Sequence, residues 1–268
     1  MTAPSWNNKL ARVDMDIIGS GNMEKEPKET SPEVIPGTWS DLLLYIFAGF
    51  GLYVVASILV SLPFQEIDLT VTTLAILTNV LFIGGGAYVL GIRRKKITWA
   101  SLGISPPVWK PEYLLWAFLL AVGLMPIRGV IGLVVEILLE GDFDNLQLRS
   151  DLFTAGMDNG YAYLILLLGV GILAPISEEL FFRGLIYNWF RQRWGMWVSI
   201  LLSSIWFSIG HIDSLGVVAS SFLMGGVIAY VYERTRSLWF AIAIHLITNS
   251  ISVLLLMLIQ LISPYIPV

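Results

Sequence analysis

The stretch PISEELFFRG, residues 175–184, holds Glu178, Glu179 and Arg183 inside an otherwise apolar run. The chain's two histidines lie in similar settings: His211 ends FSIGH, and His245 opens HLITN, four residues before Asn249. Carboxylates, imidazoles and amides are groups that move protons and hold developing negative charge. On a helix, Glu179 and Arg183 stand at i and i+4 with the acid first, the better order for an ion pair. Glu178 is turned about 100° away and lies five residues before Arg183, poorly placed to share that cation. The spacing predicts one carboxylate neutralised within its own helix and one that needs a partner from elsewhere.

The elements that must position these groups follow from composition. The chain is 56% hydrophobic and 13% charged over 268 residues, with a net charge of −4. A soluble domain carries about 25% charged residues, so most of this surface faces something other than water. The expected fold is all-α, a polytopic transmembrane helical bundle of about seven spans. Apolar runs at 41–62, 69–92, 113–139, 161–190, 196–212, 214–232 and 238–262 approach the roughly 20 residues needed to cross the hydrocarbon. The fifth is short, and Pro126 and Pro175 should kink the third and fourth. Cysteine is absent, which excludes disulfides, thiolate metal sites and cysteine nucleophiles.

Residues 1–39 are polar and proline-dotted, a disordered cytoplasmic tail by composition. Residues 40–160 then form N-terminal transmembrane helices and an interfacial segment over 97–112, and 161–263 form the core that carries the polar motifs. With the N-terminus cytoplasmic, thirteen of the sixteen lysines and arginines fall on that side. Arg149 alone lies opposite, and Arg128 and Arg183 lie within spans. The sixth span is rich in glycine, alanine and serine, which allows close helix packing.

An ionisable side chain near the bilayer centre costs about 2.5–3.5 kcal/mol. Counting about 1.5 Å per residue from the cytoplasmic basic residues puts Glu178 and Asn249 roughly 20 Å deep, His245 about 14 Å and His211 about 27 Å. These depths scatter around one layer near the midplane, with His211 the outlier, and so allow convergence on a shared cavity. Plain readings stand beside it: a buried Glu179–Arg183 pair that only fixes helices, a helix-end His211, a His245–Asn249 interhelical clasp, and Phe207 as packing. Arg128 has no motif partner, and Glu136 is eight residues away from it.

E-E-x-x-x-R, then F-x-x-x-H, then H-x-x-x-N on successive helices resembles the CPBP family, the intramembrane CAAX proteases and bacteriocin-processing (Abi) enzymes. The motifs read Glu178-Glu179…Arg183, Phe207…His211 and His245…Asn249, and the resemblance covers about residues 161–255. It implies an integral membrane endopeptidase in which Glu178 activates water and His211 helps to hold it. His245 and Asn249 would donate to the oxyanion, with Glu179 and Arg183 in support. The family has also been described as zinc-dependent, and Glu178, His211 and His245 could form such a set with water. With no H-E-x-x-H and no second base once Glu178 is a ligand, no cofactor is the expectation. The implied partners are the lipid bilayer and a membrane-associated or lipidated peptide substrate; nucleic acid is not among them, and a protein complex partner is allowed. The alternative is a non-catalytic scaffold, immunity factor or complex subunit. A transporter is disfavoured by the lack of internal repeats and of a second acidic site.

Overall fold

In hydrocarbon a backbone must satisfy its own polar groups, and the helix does this within one segment. The computed structural model describes residues 37–64, 68–104, 111–142, 144, 160–212 and 214–262, and among these no strand occurs. The helices, in chain order, are α1 (Trp39–Ser61), α2 (Leu69–Arg93), α3 (Glu112–Leu139), α4 (Gly160–Arg191), α5 (Met196–Ile209), α6 (Leu215–Thr235) and α7 (Leu238–Ile262). Six are long and apolar enough to cross a membrane; α5 is the shorter one. Its 14 residues rise only about 21 Å. The expected fifth span over 196–212 therefore stops early, at Ile209, before His211.

Of the expected tail, residues 1–36 lie outside the described residues, as does most of the acidic loop and 105–110 of the interfacial segment. Gly37–Trp39 already belong to the bundle. Thr38 and Asp41 cap α1 reciprocally, Gly37 N donates to Gln192, and Trp39 meets Trp189 edge-on.

The fourth helix is the centre. Phe181 to Tyr187 are buried without a break, because α2, α5, α6 and α7 all pack on α4. A helix apolar all round is a helix surrounded. By contrast α1 and α3 turn Phe47, Leu59, Leu115 and Leu138 outward, the face that lipid would cover. On α2, Gly84 lets that helix approach α4 closely: a Cβ there would lie 2.6 Å from Ser177 Oγ. That contact fixes α2 beside the glutamate pair.

Both prolines sit within unbroken helices. Helix α3 runs through Pro126. Just before Pro175, α4 opens into wider π-type turns over Leu167–Leu173, one of the few ways a helix can accommodate the ring. The carbonyl of Gly171, which proline leaves without its usual donor, accepts instead from Ser250 Oγ of α7 at 3.3 Å.

Candidate active site

The glutamates divide as their spacing predicts. Glu179 and Arg183 are buried to 0% and 1% exposure, with Arg183 Nε 3.1 Å from Glu179 Oε2. Those two atoms are close but misaligned for a hydrogen bond, so the contact is Coulombic. The guanidinium also donates through Nη2 to the Gly225 carbonyl of α6 at 3.0 Å and lies 4.8 Å from the centre of the Phe207 ring. Helix α4 is thereby tied to α5 and α6.

His245 stands between the two carboxylates. Its Nδ1 is 2.7 Å from Glu179 Oε1 and its Nε2 is 3.7 Å from Glu178 Oε2. An ionised carboxylate can only accept, so Nδ1 carries a proton. Glu179 then does more than balance Arg183, because it sets the tautomer and the orientation of the imidazole. Glu178 takes its remaining contact from α2: Asn79 Nδ2 donates to Glu178 Oε1 at 3.1 Å.

A cavity of about 10 Å³, room for about one water, is lined by Glu178, His211, Asn79 and the rings of Phe50, Tyr53 and Phe182, among others. His211 reaches it because α5 ends one turn short, with the Gly210 and His211 amides closing back on Phe207 and Ser208. His211 Nδ1 lies 3.1 Å from the Phe207 carbonyl, which makes Nδ1 the donor and leaves Nε2 as the ring's other polar atom. Phe207 is more than filler. Its ring centre lies 5.1 Å from that of His211 and 5.6 Å from that of His245, in contact with both imidazoles.

The structure thus brings Glu178, Glu179, Arg183 and His245 into one chain of contacts and sets His211 on the cavity beside Glu178. Asn249 is placed differently. Its Nδ2 donates to the Val170 carbonyl of α4 at 3.1 Å, two turns before the glutamates. Asn79, absent from the sequence motifs, takes the position beside Glu178. The one signal for it was an amide within the apolar run LTNVLFIGGG.

A zinc centre needs its ligands to converge. Among the described residues no three histidine, aspartate or glutamate side chains are grouped to hold a metal ion. One nitrogen of His245 is engaged by Glu179, which leaves only Nε2 of that ring to face Glu178.

Residues 160–251 match the family model described as "Type II CAAX prenyl endopeptidase Rce1-like". The chain is 33% identical over 95 residues to an "Uncharacterized 24.3 kDa protein" of Escherichia coli, a match that takes in 34% of this chain and 44% of that protein. It is 25% identical over 142 residues to the "Putative membrane peptidase YdiL" of Bacillus subtilis (strain 168), covering 50% of this chain and 58% of that one. The chain spans about half the length of the curated relatives it matches. No solved structure matches it significantly. The family resemblance carried by the three motifs is borne out over α4 to α6 and the first half of α7.

Proposed function

We propose, from a segment that is Rce1-like over residues 160–251, that this protein is an intramembrane endopeptidase. Its substrate would be a peptide bond in a membrane-associated or lipidated protein. The observation that carries the reading is the unequal fate of the two glutamates. Glu179 is spent on Arg183 and His245, whereas Glu178 borders a water-sized cavity together with His211.

In the proposed cycle a water in that cavity gives a proton to Glu178 as its oxygen attacks the scissile carbonyl carbon. His211 Nε2 holds the water on its other side. The carbonyl oxygen gains the negative charge, and His245 and Asn249 are the groups assigned to donate to it. Glu178 then returns its proton to the leaving amine as the C–N bond breaks. Every step uses this chain's own groups, without a metal. Such a base contributes about 10²–10⁴ in rate, and oriented donors about 10²–10³.

A cytoplasmic N-terminus accompanies this proposal, supported by the asymmetry of lysine and arginine. The test is cleavage by the purified full chain in lipid nanodiscs of two quenched fluorescent peptides, one ending in a prenylated Cys-a-a-X box and one an unprenylated leader-type segment. Glu178→Gln should lower kcat by about 10³-fold or more with an unchanged melting temperature. Retained cleavage would sink the proposal, and a folded wild type that cleaves neither peptide would favour a scaffold. Activity should also survive a chelator such as phenanthroline; loss that added zinc restores would overturn the metal-free chemistry.

A further inference from the structure

Asn79 comes from α2, far outside the segment that matches the family model, yet it touches the one carboxylate that the C-terminal helices leave for chemistry. Its Nδ2 donates to Glu178 Oε1 at 3.1 Å. The amide cannot be turned the other way, because that would set its oxygen against a carboxylate oxygen. The side chain is more than nine-tenths buried, lines the cavity with Glu178 and His211, and leaves Oδ1 with no hydrogen-bond partner. A residue serving only as glue between helices would have both ends satisfied, and Gly84 against Ser177 already provides the close packing of α2 on α4. The orphaned acceptor sits where a water bound by Glu178 would have a second hydrogen to place.

We infer that Asn79 is a positioning residue of the active site, supplied by the N-terminal helices. Its N–H fixes one oxygen of Glu178, and its Oδ1 accepts the second hydrogen of the attacking water, aiming the oxygen lone pair at the substrate carbonyl. The inference rests on the endopeptidase reading for its role and on geometry alone for its contact.

Two experiments separate those layers. Asn79→Leu keeps the size and removes both polar ends. In the nanodisc assay kcat should fall about 10- to 100-fold, the loss of one hydrogen bond to a charged group, with KM held. A folded Asn79→Leu with unchanged kcat, or one that raises KM and leaves kcat alone, overturns the inference while leaving the endopeptidase reading intact.

The contact itself is tested by exchange and needs no substrate. Asn79→Asp sets two carboxylates together and should lower the melting temperature, and adding Glu178→Gln should recover it by restoring one donor and one acceptor. Failure of the pair to recover stability overturns the inference whatever the activity.

Discussion

Two places in this bundle bury a carboxylate, and they do opposite things with it. At the centre, Glu178 and Glu179 meet an imidazole, a guanidinium and an amide, and Glu178 borders a cavity. At the end of α3, Glu136 is buried to 0% exposure, but its Oε2 accepts from Ser214 Oγ at 2.8 Å and from Gly216 N at 2.9 Å. It caps the first turn of α6 from a neighbouring helix, where the amides are otherwise unpaired and the dipole favours negative charge. Among the described residues no histidine hydrogen-bonds it, and it does not line the cavity beside Glu178. Burial of a charge is therefore no signature of chemistry by itself. Oε1 of Glu136 is itself without a hydrogen-bond partner, so what separates the two is their company: a water-sized cavity and His211 beside Glu178, a helix N-terminus beside Glu136.

The sharpest way to break this contrast is to remove each carboxylate in turn. The loss of about 10³-fold in kcat for Glu178→Gln should have no counterpart at Glu136. A large loss of kcat per folded molecule in Glu136→Gln would erase the distinction. Next comes Arg183→Met, which strands Glu179 in the core. Leaving one partner of a buried pair uncompensated costs about 3–5 kcal/mol, so the variant should accumulate poorly and melt far below wild type. Glu179→Gln with Arg183→Met should regain part of that loss, without activity, since His245 then lacks its orienting carboxylate. The smallest effect is at the cap. Glu136→Leu leaves the Gly216 amide and the Ser214 hydroxyl without their acceptor and should cost about 1–3 kcal/mol by thermal unfolding in detergent, with kcat preserved in the folded fraction.

Much of the site could be read from spacing, and the reasons mark where reading stops. Glu179 and Arg183 lie on one helix, so a turn of known pitch predicts their contact, and the contact is present at 3.1 Å. The partner of Glu178 could not be read this way. Asn79 is 99 residues distant, on a helix whose rotation depends on tertiary packing such as Gly84 against Ser177. Asn249 shows the converse. It shares a face with His245, as four residues require, but it also sits one turn, about 6 Å, further along. There the nearest group of α4 is the Val170 carbonyl rather than the glutamate. Glu136 read as a poor partner for Arg128, and its actual partners on α6 were hidden for the same reason as Asn79. The all-helical architecture was legible because hydropathy over 20 residues is a local property. The early end of α5 was not, since the apolar run continues through Ile212 while the helix stops at Ile209.

That truncated helix also bears on the surrounding lipid. A rod about 21 Å long cannot meet both edges of a hydrocarbon slab about 30 Å thick. Acyl chains bordering it must shorten or tilt to avoid the polar segment past its tip. A bilayer crossed by so short a helix would thin on the flank where His211 stands. Such thinning would bring headgroup water toward the cavity that Glu178 and His211 border, with no need for a pore through the bundle.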